Sequence, residues 1–363
     1  MTVLLCRSGD LPISSSYDYW CAVGNPINTP ELSRRLPGFE LQMEEAFDAI
    51  QTIWSDLVRE LAQQNPSAEL AHTVTCNTNV SDFGVMLAWT DLYETWIANE
   101  ECILVICDDP WLFRHLSSLD GNVLSPPPRL FFQELKLWFR GYLSRFWYAL
   151  TAAFAVIRLR HLKNYAEKAS SVLLVYGHPS SNSNGRDAYF GTLMNILPEV
   201  RRIIHVDCKP ARALELAKDG RTASLHGWGS ILFVFRLPFI KWDTAKHIGW
   251  EKYSWIIRRS RVLEGSTGQS AAIRWQLHCL DCWLKNTRPR AIVWPWENHG
   301  WERGLIRLAR PMGILLSGYQ HTVVGRQHWV HLAKSNPDGE KSLPDRILCS
   351  GEIWRQCLID YGH

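Results

Sequence analysis

Short apolar runs alternate with stretches of helical periodicity along most of the chain. Residues 3–6 predict a short strand, 41–63 a helix, and 83–98 another helix. The run CILVICDD, 102–109, has strand length, and PWLFRHLSSL after it predicts a helix. The prolines of SPPPR, 125–129, are a rigid break, and long helices are expected over roughly 130–168. A second alternating section starts at 171. Its first strand ends at Tyr176, a loop rich in Gly, Ser and Asn follows, and a helix is expected from about Asp187. Strand RRIIHVD and helix KPARALELAKDG come next, then helices over 250–263 and 269–285. AIVW, GWERGLIRLAR, GILLSGY, a long polar loop, DRILCSG and EIWRQCLIDYG continue the alternation. This pattern predicts an α/β fold of Rossmann-like, mostly parallel sheets with helices on both faces. Three parts are expected: an α/β domain over 1–125, a helical connector over 126–168 and a Rossmann-like domain over 169–363.

Composition narrows the class. A chain of 363 residues with 46% hydrophobic and 21% charged residues is globular, not disordered. A net charge of +3 does not point to nucleic acid, and none is expected as a partner. Ten scattered cysteines, several in strand-like runs, suggest reduced thiols and a cytoplasmic protein. The close pair Cys279 and Cys282 lacks a second pair, so no metal site is expected. Eighteen tryptophans suit sugar stacking, membrane interfaces or plain core packing. The basic, aromatic stretch 130–163 has an uncharged run, 146–157, shorter than the roughly 20 residues a membrane span needs. Either a peripheral helix on an anionic membrane surface or a buried interdomain helix fits it.

Ligands of open parallel sheets bind beyond the carboxyl ends of the strands. Those exits are where this chain turns polar. His178 and the loop around Asn182 follow one strand; Glu297, Asn298 and His299 follow another; Tyr319, Gln320 and His321 follow a third. If the strands are parallel, Glu297, His321 and His178 share one rim. Glu297 lies between tryptophans, where desolvation would raise its pKa and suit a general base. Asn298 reads as a helix N-cap, and Glu302 as a carboxylate in the first helical turn. His321 and His178 are equally readable as hydrogen-bonded loop residues. The loop YGHPSSNSNG is neither a Walker loop nor a Gly-x-Gly-x-x-Gly fingerprint.

The stretch WENHGWERGLIRLAR, with GILLSGYQHTVV and NPDGEKSLPDRILCSGEIWRQCLIDYG, resembles bacterial surface-carbohydrate biosynthesis proteins of O-antigen and capsule clusters. The shared positions are Glu297, Trp301 and Glu302, Gly318 to His321, and Pro344, Asp345 and Gly351. VLLVYGHPSSNSNGRDAYFGTL is similar to the same family, and the resemblance covers about residues 171–362. It implies a GT-B-type glycosyltransferase of lipopolysaccharide or capsule synthesis at the inner face of the cytoplasmic membrane. The enzyme would transfer a sugar from a nucleotide-sugar, with no other cofactor, to a glycan or lipid-linked acceptor. Glu297 or His321 would act as base, while His178, Asn182, Asn298, His299, Tyr319 and Gln320 would bind substrate. The sequence stops where a GT-B donor half is expected, which implies a truncated chain or a separate donor-domain polypeptide. A nucleotide-sugar epimerase and a non-catalytic membrane-associated binding protein are the alternative expectations.

Overall fold

The computed structural model describes residues 3–13, 16–64, 81–167, 169–242, 251–325, 327–336 and 338–363. Cys76 and the expected helix start at Trp250 lie outside the described residues.

The first section holds β1 (Leu4–Cys6), β2 (Tyr19–Val23), helices α1 (Phe39–Ala49), α2 (Gln51–Gln64) and α3 (Phe83–Ala98), then β3 (Ile103–Cys107), α4 (Pro110–Leu116) and β4 (Asn122–Val123). The four strands form one parallel sheet in the order β2-β3-β1-β4. All five residues of β3 are buried, as an inner strand of a parallel sheet requires. Strands β2 and β4 are not evident in the hydrophobic pattern. The helix expected over 41–63 is two helices, broken at Ile50.

Helix α5 (Phe131–Leu159) links this section to the next and continues into a 3-10 turn to Tyr165. It runs about 43 Å at 1.5 Å per residue. Among the described residues no helix is long and apolar enough to cross a membrane.

The second section contains β5 (Ser171–Val175), β6 (Arg201–Ile204), α6 (Pro210–Leu216), β7 (Thr222–Ser224), α7 (Ser254–Leu263), α8 (Gly268–Thr287), β8 (Ala291–Pro295), α9 (Gly300–Ala309), β9 (Leu315–Gln320), β10 (Arg346–Cys349) and α10 (Glu352–Asp360). Its six strands are all parallel, in the order β10-β9-β8-β5-β6-β7. Read from β7, the first three strands count backwards and the next three forwards, which is the Rossmann order with its reversal between β5 and β8. The fold is therefore α/β, built on two parallel sheets, as the alternation predicts.

Period-two burial fixes the layers. In β5, Val172 and Leu174 face one core with α8 and α9, through Trp275, Leu280, Leu305 and Ile306. Leu173 and Val175 face the other core with Ala213 and Leu216 of α6. Each of these four strand residues is 1% exposed, and burying each contributes about 1.5–3 kcal/mol. A one-residue slip would exchange the two faces, so the pattern sets the register.

Three local departures bear on the site. The helix expected from Asp187 is a turn: Asp187 Oδ1 accepts the N–H groups of Tyr189 (3.0 Å) and Phe190 (3.4 Å), and only Leu193–Ile196 is helical. The long polar loop after β9 is anchored. Its Trp329 stacks on Phe47 at 4.2 Å and meets Trp54 at 5.1 Å, inside the core of the first section. Strand β7, too short and polar to show a pattern, is fully buried and pairs with β6.

Candidate active site

The parallel register brings three strand exits level. Ser171 pairs with Ala291 between β5 and β8, and Pro295 pairs with Tyr319 between β8 and β9. Tyr176, Trp296 and His321 then leave the sheet along one rim, at the reversal of strand order where Rossmann-type sheets open a crevice. Trp296 extends the pairing by donating its N–H to the Tyr319 carbonyl at 2.8 Å. Gly318 permits this, because a Cβ there would fall 2.7 Å from the Trp296 Cβ.

The turn from β8 into α9 is held by Glu302, which is fully buried. Its carboxylate accepts from Trp294 Nε1 at 2.8 Å and from the backbone N–H groups of Glu297, Asn298 and His299 at 3.2–3.3 Å. Burial pushes the Glu302 carboxyl up to about 7. The helix cap is His299 and not, as the sequence suggests, Asn298. The His299 side chain and Glu302 form a reciprocal capping box. Asn298 precedes the cap with a left-handed φ of 59°, a conformation asparagine tolerates better than most residues. It is 1% exposed, donates to the Val330 carbonyl (2.7 Å) and to Asn336 Oδ1 (3.2 Å), and accepts from Arg303 (3.2 Å). Its side chain clasps the Trp329 loop and is spent on that contact.

With Glu302 satisfying the turn, the Glu297 carboxylate is left to pair with imidazoles at the rim. It is 30% exposed, with Oε2 2.7 Å from His299 Nε2 and Oε1 3.6 Å from His321 Nε2. The structure thus joins the two residues expected to act as base, though 24 positions separate them. The expected rise in the Glu297 pKa is not found. Burial does push it up, but the hydrogen bond from His299 and the charges of His299, His321 and His331 outweigh that, and the net direction is down. For His299, burial favours the neutral form, yet the bond to Glu297 and the nearby Glu302 and Glu297 charges raise its pKa. Among the described residues, no group of three or more His, Cys, Asp or Glu is arranged to hold a metal ion.

Tyr189 extends the cluster. Its ring meets His321 edge-on at 4.9 Å and His178 at 5.9 Å, so His178 joins the same rim. His178 is exposed, and its Nδ1 accepts the Ser180 N–H at 3.1 Å. Tyr319 is half-buried, with its ring 6.4 Å from His321 and 5.7 Å from Phe190. Gln320, the next residue along the strand, is fully buried and donates to the Thr322 carbonyl. Asn182 turns back into its own loop, where Oδ1 accepts from Asn184 (2.9 Å) and Arg186 (3.3 Å). That loop is pinned from beneath by buried Arg202, which binds the Asn182 carbonyl, Asp219 and Thr222.

A cavity of about 170 Å³ opens beside His299, lined among others by Tyr176, His205, Asp207, Gln276 and Trp301. His205 and Gln276 are 4% and 1% exposed, and the Nε2 atom of each is buried without a hydrogen-bond partner. Neither residue is a candidate in the sequence reading. His205 hides inside a strand-like run and Gln276 inside a helix.

Compared with known proteins, the chain matches no family model, no curated protein and no solved structure.

Proposed function

We propose that the rim formed by Glu297, His321, His178 and Tyr189 is the acceptor site of a GT-B-type glycosyltransferase of surface-glycan synthesis. The observation that carries this reading is the meeting of Glu297, His299 and His321 at the strand-order reversal, on a partly open carboxylate. The Gly-Tyr-Gln-His and Glu-x-x-x-Trp-Glu motifs support it through the family resemblance.

In this reading His321 Nε2 takes the proton. At 3.6 Å it is too far from Glu297 Oε1 for a strong hydrogen bond, so a neutral His321 with its proton on Nδ1 would accept from an incoming hydroxyl. The acceptor oxygen then bonds to the anomeric carbon of the donor sugar. The bond from that carbon to the nucleotide phosphate breaks, and the nucleotide leaves with the electron pair. Glu297, held ionised by His299, stabilises the imidazolium formed on His321. The Glu302 carboxylate already occupies the start of α9, so the donor phosphates would sit elsewhere on the rim.

The test is a panel of nucleotide-sugars incubated with glycan and lipid-linked acceptors, read by product mass. Transfer should require the acceptor, and Glu297→Gln and His321→Gln should each lower it by about 10²–10⁴-fold. Conversion of a nucleotide-sugar without acceptor, or wild-type transfer in both variants, would overturn the proposal.

A further inference from the structure

Helix α5 is amphipathic in an inverted sense. Its buried stripe is mostly small: Gly141, Ala149, Ala152 and Ala155, with Val156 and Leu159 toward the end. A Cβ on Gly141 would fall 2.2 Å from the Ser266 carbonyl oxygen, so the helix lies close against the chain before α8. The large residues point the other way. A stripe stepping by three and four residues runs from Phe132 to Ile157. Along or beside it Phe132, Phe139, Trp147, Phe154 and Ile157 are 54–71% exposed.

A second element widens this face. Residues 231–239 run alongside α5 in the opposite direction. Ile231 and Leu232 share a cavity of about 780 Å³ with Val156, Ile157 and Arg160, and the Phe239 ring lies 6.1 Å from Tyr142. The buried Arg145 fixes the pair by donating to the carbonyls of Pro238 and Ser266. Arg145 is thus a strut inside the protein and not, like the other arginines of α5, a surface charge. Leu232, Phe235 and Phe239 are 70–79% exposed.

Charge identifies the partner. Glu134 is the only acidic residue between 131 and 163, and it is held by Trp111 and Arg258. Lys136, Arg140, Arg158 and Arg160 are exposed around the apolar stripe, and Arg236 and Lys241 are exposed on the second element, where 230–242 contains no acid. A monomer rarely leaves so long an apolar face in water. A second copy of this chain would bring the same positive charges together. An anionic bilayer accepts both features: aromatic rings at headgroup depth and long basic side chains reaching the lipid phosphates.

We infer that α5 and residues 231–241 form one face that lies flat on an anionic lipid bilayer. The inference stands apart from the catalytic reading, since vesicle binding needs no sugar chemistry. The test is co-sedimentation of the full chain with vesicles of equal parts phosphatidylglycerol and phosphatidylcholine, against pure phosphatidylcholine. Binding should be at least about tenfold tighter on the anionic vesicles and should weaken in high salt. The double variant Phe154→Glu/Leu232→Glu should lose about tenfold or more. Arg140→Glu/Arg158→Glu should erase the preference for anionic vesicles. All four positions are exposed, so thermal unfolding of the variants should match the wild type. Absence of binding, equal binding to both vesicle types, or wild-type binding by the double variant overturns the inference. So does a stable dimer that the double variant dissociates while neither form binds vesicles.

Discussion

The two sheets end in rims of similar polarity that do different things. At the first, Asp108 accepts the Ser8 N–H at 3.0 Å. Asp109 caps α4 through Trp111 and Leu112 and pairs with Arg259 at 2.7 Å, while Arg259 also holds Asp82. Both carboxylates have structural partners. At the second rim Glu302 does the work of Asp109, accepting the N–H groups of its turn. Glu297 is the extra carboxylate, and its partners are two imidazoles instead of an arginine and backbone. A polar strand exit is therefore not itself a site. What distinguishes the second rim is a titratable cluster left over after the turn has been satisfied.

Substitutions at matched positions sharpen this contrast. Arg259→Met should cost the most, about 3–5 kcal/mol in urea unfolding, because it strands the Asp109 carboxylate against a buried face. Glu302→Gln should follow at about 1–3 kcal/mol, since an amide cannot accept from all four N–H donors. Glu297→Gln should cost less than about 1 kcal/mol near pH 8 while lowering the proposed transfer. A Glu297 variant as unstable as the Glu302 variant would erase the distinction between the rims.

The smallest effect is a dependence on pH. The Glu297 pKa is depressed below its ordinary 4.5, so its stabilising contribution is present above that value and lost as pH falls through the folded value. The His299 pKa is raised above its ordinary 6.5, so its contribution is full below 6.5 and lost as pH rises through the folded value. The stability gap between wild type and Glu297→Gln should thus peak between about pH 4.5 and 6.5 and shrink on both sides. Urea midpoints measured at stepped pH would check this, and a gap that keeps growing above pH 8 would remove the ion pair from the account.

The sequence made the second sheet legible because its strands are apolar runs that turn polar at their exits. β5, β8 and β9 follow that rule, and β6 and β10 follow it after leading arginines. β7 escaped because Thr222, Ala223 and Ser224 show no apolar run, although all three are buried. The rim was legible as a set of positions, but the state of its groups was not. Tryptophans beside Glu297 argue for a raised pKa. The opposite direction comes from His299 and His321, whose approach depends on the register of β8 and β9. Asn298 and His299 differ by one position as caps, and only the left-handed backbone at Asn298 decides between them. In α5 the periodicity is visible, but not that its bulky side is the outer one.

The segment that begins at His321 continues to Trp329, which sits between Phe47 and Trp54 of the other section. Asn298 grips the same segment at Val330, two residues before Leu332, another member of that core. The imidazole at the rim is therefore tethered to the far half of the molecule at a point eight residues downstream. A hinge motion separating the halves would have to drag that tryptophan from its slot or carry the histidine along, so loosening the packing around Trp54 would register at the rim as a shifted His321 imidazole.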